Sequence, residues 1–187
     1  GKLVFSGHDT FHCRTFWLKK GYDLLVQGKT FDDNAVITLG VGRNMVTAVR
    51  HWLKAFNIVD DDLALKEFGR LIFADDGYDP YLEDTGTIWL LHHQLVTNRY
   101  ADTFYYFFNQ FRQKHFEFSK ETLIDYLIQK VELSDNSVAA STIERDVQVL
   151  LRTYLRKRKI TGVEDDLSGF LYELNLMERE VSDHKKT

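Results

Sequence analysis

Cysteine and proline are nearly missing from this chain: Cys13 and Pro80 are the single examples of each. One cysteine excludes an internal disulfide framework and points to a reducing compartment, so a cytoplasmic protein is expected. One proline argues against a loop-rich sheet protein and for uninterrupted helices. No apolar run approaches the roughly 20 residues that span a bilayer. The net charge of -4 excludes adhesion to nucleic acid through bulk charge, so any such binding must come from a local patch. With 44% hydrophobic and 14% aromatic residues in 187, there is ample material for a packed core.

A second absence is local. The chain carries 28 acids, yet none lies between Ala35 and Val59, where composition alone would place about four. Inside this window, residues 40–56 read GVGRNMVTAVRHWLKAF. At about 100° per residue, Met45, Val46, Val49, Trp52, Leu53 and Phe56 fall on one side of a helix. Arg43, Asn44, Thr47, Arg50, His51 and Lys54 fall on the other. Such a face suits a groove of duplex DNA; a solvated surface is its plainer reading. Residues 31–39 predict a short helix opened by Asp32 or Asp33, and Gly40 and Gly42 a tight turn before the next helix. Residues 58–66, with three consecutive acids at 60–62, predict a β wing, and residues 67–73 a short helix.

The expected fold is mainly α with small β wings. Tandem winged-helix or helix-turn-helix modules would be joined by an aromatic helical hairpin. The predicted divisions are an arm with a winged-helix-like DNA-binding module (1–76), the hairpin (77–115), a second helical or winged-helix-like module (116–160) and a tail (161–187) cut from a longer protein. In the first module residues 17–27 read as a helix. The hairpin consists of helices at 85–96 and 101–111, rich in Tyr and Phe. Its aromatics suit packing between modules, with stacking on single-stranded nucleic acid as the alternative. In the second module Ser119 caps a helix to Leu133, and residues 141–144 (STIE) form a capping box. The last helix turns Ile143, Val147, Leu150, Leu151, Tyr154 and Leu155 inward. Thr142, Arg145, Val149, Arg152 and Arg156 face outward and lead to Lys157, so Thr142, Arg145, Arg152, Arg156 and Lys157 form a second DNA-binding group. In the tail, Phe170, Leu171, Leu174 and Leu176 are expected to dock.

Chemistry is less legible. His8, Asp9, His12 and Cys13 have metal-ligand side chains, but without a further His or Cys pair at structural spacing no metal site is assigned. The acids at positions 75, 76, 79, 83 and 84 suit a turn and a helix N-terminus as well as a metal. No cofactor is identified, and a divalent metal enters only if DNA nicking resides in this stretch.

The motifs FSGHDTF with Arg14, WLKKGYD, LGVGRNMVTAVRHWLKAF and DPYLEDTGTIWLLHHQLVTN, in this order, resemble the domain-of-unknown-function 4007 family. The family's opening usually reads FSGHETF, so Asp9 stands here for Glu with its charge kept, and His12 and Cys13 lie outside that pattern. The resemblance implies a component of bacterial DNA phosphorothioation, an anti-phage defence encoded beside a cysteine desulfurase, an ATPase and a sulfurtransferase. In the single-strand form of the system, the component similar to this chain implies a DNA nickase. Family members are longer, and this chain is expected to stop before their C-terminal portion. Three functions are therefore open: duplex DNA reading, a nuclease centre with His8, Asp9 and Arg14 as candidates, or an adaptor for the ATPase or sulfurtransferase.

Overall fold

The computed structural model describes residues 2–156 and 169–180. Among them the chain is almost wholly helical: α1 (Trp17–Val26), α2 (Ala35–Leu39), α3 (Arg43–Ala55), α4 (Glu67–Phe73), α5 (Thr85–Thr97), α6 (Asp102–Tyr106), α7 (Arg112–Lys114), α8 (Lys120–Glu132) and α9 (Ala140–Tyr154). A π-helical turn (Phe107–Phe111) joins α6 to α7, and a 3-10 turn (Leu171–Leu174) lies near the end. Apolar side chains from all but α7 meet in one continuous core.

The expected β content shrinks to one antiparallel bridge, Val59 to Leu65, among the described residues. Residues 58–66 do fold back as a hairpin: Lys66 N donates to Ile58 O at 2.9 Å and Asp60 N to Ala64 O at 3.0 Å. The Asp60 carboxylate also accepts from the amides of Asp62 and Ala64. Most of the segment is thus spent on the turn, and its arms are too short to become strands.

Two helix starts also differ from expectation. Asp32 does not open α2; its side chain accepts from Asn34 N at 2.9 Å in a turn of its own, and the helix begins at Ala35. Residues 141–144 make no capping box, because Ala139 is the last extended residue and Ser141 already lies in the first turn of α9. Ser119 does cap α8, accepting from Thr122 N at 3.1 Å. Gly40 ends α2 with φ 67°, a left-handed conformation that favours glycine. Gly42 has φ -66°, available to any residue, so only one of the two glycines is conformationally required.

In the aromatic hairpin, the π turn inserts an extra residue into one helical turn and rotates the residues beyond it. That rotation brings Phe104, Phe107 and Phe111 all into the core. Asn109 marks the irregularity, its amide donating to Val96 O at 2.7 Å and Tyr105 O at 3.0 Å. At the far end Phe170 packs its ring 5.7 Å from that of Phe56, so the tail docks as expected.

The N-terminal arm is tied down by two buried carboxylates. Asp102 accepts from Val4 N at 2.7 Å and returns its own amide to Val4 O at 3.0 Å. Asp146, in the middle of α9 and 3% exposed, accepts from Ser6 N with both oxygens and from the Thr103 hydroxyl. His8 Nε2 lies 3.3 Å from the same carboxylate, and His8 Nδ1 faces Asp9 O at 2.9 Å. The arm reaches this geometry through left-handed backbone at Ser6, Gly7 and Asp9. A Cβ on Gly7 would lie 2.4 Å from His51 Nδ1, so the glycine of the FSGHDTF motif is sterically required. The His8 ring stacks on Trp52 at 5.4 Å, and Trp52 Nε1 donates to Phe11 O at 3.0 Å.

Removing the Asp146 carboxylate leaves an arm amide, a histidine and a hydroxyl without their buried acceptor. Asp146→Ala is expected to cost about 3–5 kcal/mol in a chemical-denaturation experiment. An exposed change such as Glu144→Ala is expected to stay within about 0.5 kcal/mol.

Candidate nucleic-acid interface

Helix α3 is buried along one side and open along the other. Val46, Ala48, Val49, Trp52 and Leu53 are buried, and the helix contacts α1 and α2. Arg43, Asn44, Thr47 and Arg50 are exposed and form a continuous polar strip over the first two turns. No acid belongs to this helix, and its one ion pair among the described residues is Arg43 with Asp33 at 3.1 Å. Both partners of that pair are largely in water, where such a contact contributes little and yields readily to a phosphate.

Two positions on the expected polar face behave differently. His51 points inward: it is 6% exposed, packed against His8, Trp52 and Tyr100 at ring distances of 5.2 Å. It sits at the border of the apolar arc, and the N-terminal arm crosses there and covers it. Burial, then the neighbouring His8 and Lys54, hold its pKa well below the usual histidine value. Among the described residues its Nε2 has no hydrogen-bond partner. His51 is therefore not part of a surface that meets a ligand. Lys54 is half-buried; its ammonium donates to Asp61 O at 2.7 Å and lies 6.0 Å from the centre of the Tyr100 ring.

On α9 the second basic group is spread out and partly engaged. Arg145 is exposed and donates to the Thr142 hydroxyl at 3.5 Å, while Thr142 itself is half-buried. Arg152 donates to Thr10 O in the arm, and the Arg156 guanidinium lies 5.5 Å from the Tyr172 ring. Val149, expected on the outer face, is buried, because packing against neighbouring elements broadens the inward side of α9. Lys157 lies outside the described residues.

The nuclease candidates are mostly enclosed by the fold. His8 is 1% exposed, with both ring nitrogens turned to protein acceptors. Asp9 is half-buried in a left-handed turn. Arg14 is half-buried, its guanidinium 5.2 Å from the Trp17 ring and 4.0 Å from Met45 Sδ of α3; burial lowers its pKa. Cys13 is buried, and burial drives its thiol pKa well up. Among the described residues no three His, Cys, Asp or Glu side chains converge as a metal would need. Three of the acids at 75–84 serve the fold instead: Asp79 accepts from the amides of Glu83 and Asp84, Asp84 caps α5, and Asp75 pairs with Lys19 at 3.0 Å. Asp146, the most heavily used acid of the arm's anchorage, was not legible, since a lone Asp inside an amphipathic helix carries no pattern.

His92, on α5, shares a 2.7 Å hydrogen bond with the buried Tyr154 hydroxyl. Burial, aided by Arg112 and His93, lowers its pKa to about 4. His51 and His92 are thus kept neutral by the fold and take up protons more readily when it opens. Stability is expected to be full above about pH 6.5 and to decline as pH falls from there towards 4, by up to about 1.4 kcal/mol per pH unit for each histidine. Denaturation midpoints across that range check it, and His92→Gln should flatten the decline.

No helix among the described residues is long and apolar enough to cross a membrane. Residues 5–186 match the profile of a family described as protein of unknown function, DUF4007. Two similar solved structures are an SspB crystal structure (32% identity, TM-score 0.76, covering 95% of this chain and 57% of that one) and a magnesium-ion-bound SspB crystal structure (33% identity, TM-score 0.75, 94% and 56%). No curated protein matches the chain. The chain spans somewhat over half the length of the SspB chains it resembles. With a profile match over nearly its whole length and solved relatives above 30% identity, the chain belongs to the DUF4007 family.

Proposed function

We propose that this chain is the duplex-DNA-reading part of a phosphorothioation-system protein acting in phage defence, whose full-length form nicks DNA. The observation that carries this reading is the polar strip of Arg43, Asn44, Thr47 and Arg50 on α3, free of acids in a chain that is acidic overall. A helix gripped by the core on one side can offer its other side to a major groove with little further ordering cost. Arg43 and Asn44 would approach base edges near the helix N-terminus, and Arg50 a backbone phosphate. The hairpin at 58–66 stands where a wing would flank such a helix. The likeness to SspB supports the phosphorothioation context, and the magnesium bound in one SspB structure is compatible with metal-dependent nicking there. Here the described residues present no matching donor set, so the nicking chemistry is assigned to the longer protein rather than to His8, Asp9 or Arg14.

An adaptor role towards the ATPase or sulfurtransferase has one observation in its favour. Leu71, Tyr78, Tyr81, Trp89 and Leu90 are exposed on or near the acid-rich loop between α4 and α5. That surface suits a basic protein partner better than a phosphate backbone.

Duplex binding across a salt series separates the readings. Arg43→Ala with Arg50→Ala is expected to weaken binding and to reduce the slope of log K against log salt by about 2. An unchanged slope and affinity would remove α3 from the interface.

A further inference from the structure

A cavity of about 400 Å³ opens at the C-terminal end of α3, between the 58–66 hairpin and the connection from α5 to α6. Three cations from different segments line it: Lys54 on α3, Lys66 just before α4, and Arg99 after α5. Each uses only part of its donor capacity within the protein. Lys54 gives one hydrogen bond to Asp61 O, Lys66 one to the Asn57 side-chain oxygen, and Arg99 one through Nε to Asp102 at 2.7 Å. An ammonium has three donors and a guanidinium five, so several remain for a ligand.

Two acids also line the cavity. Asp60 spends one oxygen on the amides of Asp62 and Ala64, and Asp61 lies in solvent at the turn. Cations therefore outnumber acids on the walls, and one acid is already neutralised in part by backbone dipoles. Asn57 and Arg99, which both line the cavity, hold left-handed backbone (φ 62° each), a conformation uncommon outside glycine and often kept where a site requires it. The half-buried Tyr100 ring lies beneath Lys54. Burial and Asp61 raise its phenol pKa, and Arg50 acts against them, which sets Arg50 beside the same opening. Arg50 and Lys54 lie four residues apart, about 6 Å along one helix face. The cavity is thus the continuation of the exposed strip of α3.

We propose that this cavity is a phosphate-binding seat, with Lys54, Lys66 and Arg99 meeting the phosphate oxygens and Tyr100 forming the floor. Tetrahedral oxyanions match several converging charged donors better than a carboxylate does. The size also suits one phosphate with its attached sugar, since small-ligand sites begin near about 300 Å³. The phosphate comes from the backbone of DNA lying along α3 or from a free nucleotide. The first source rests on the DNA-reading proposal and the second does not.

The test tracks Tyr100 ring signals by NMR during titration with inorganic phosphate, deoxyadenosine monophosphate and a short duplex, alongside duplex affinity of Lys66→Gln. The seat predicts a Tyr100 shift that Lys66→Gln abolishes and Lys66→Arg retains. A shift with duplex alone, with about a five- to tenfold affinity loss in Lys66→Gln, identifies a backbone phosphate. A shift with the two small probes as well identifies a site open to free phosphate. If Lys66→Gln matters while Arg43→Ala/Arg50→Ala does not, the seat stands and the reading of α3 falls. If the α3 variant loses affinity while no probe moves Tyr100, or Lys66→Gln leaves every shift intact, the seat is overturned.

Discussion

The buried carboxylate of Asp146 is the constraint on which the rest of the structure depends. It collects an arm amide, a histidine and a hydroxyl at one point on α9. That draws the first residues of the chain across the middle of the molecule. The arm in turn lays His8 over Trp52 and takes the indole N–H on Phe11 O. Trp52 belongs to α3 and also meets Phe104 of α6 at 5.8 Å. One acid therefore connects the two ends of the fold through a histidine and a tryptophan. A buried charge of this kind adds little net stability compared with an apolar substitute, but it tolerates few alternative arrangements. Its value lies in fixing how α3 is rotated.

Rotation decides what α3 displays. With Trp52 and His51 held inward, Arg43, Asn44, Thr47 and Arg50 are turned to solvent. Among the described residues their charge is opposed by a single exposed ion pair, Arg43 with Asp33. Many acids of the chain are placed elsewhere, in the Asp60–Asp62 turn and in the loop organised by Asp79. Net negative charge then limits non-specific adhesion, while the local field at α3 stays positive. The cavity at the end of the helix extends that field past Lys54 to Lys66 and Arg99.

Much of this was legible in the sequence, for physical reasons that differ from element to element. Helix α3 was clear because its apolar and polar residues separate cleanly at the helical period, and α4, α5 and α8 because acids or Ser119 mark their starts. The aromatic segment hid its π turn, since periodicity assumes a constant rotation per residue and Asn109 breaks it by a tertiary hydrogen bond. The wing was overdrawn because three acids in a row specify a turn but say nothing of strand length. His51 was misplaced because its neighbour in space is His8, 43 positions away in the chain. The phosphate cavity escaped for the same reason: Lys54, Lys66 and Arg99 come together only through the tertiary fold.

Whether the outer face of α3 lies against DNA is tested most directly by proximity. Cys13 is the only cysteine and is buried, so a cysteine introduced at Thr47 would be the single accessible thiol. Thr47→Cys should form a disulfide with duplex DNA carrying a tethered thiol. Leu133→Cys, also exposed to reagent but at the C-terminal boundary of α8, should not. Crosslinking at position 47 alone is the predicted result. Equal yields at both positions, or none at 47 under conditions where duplex is bound, would contradict it.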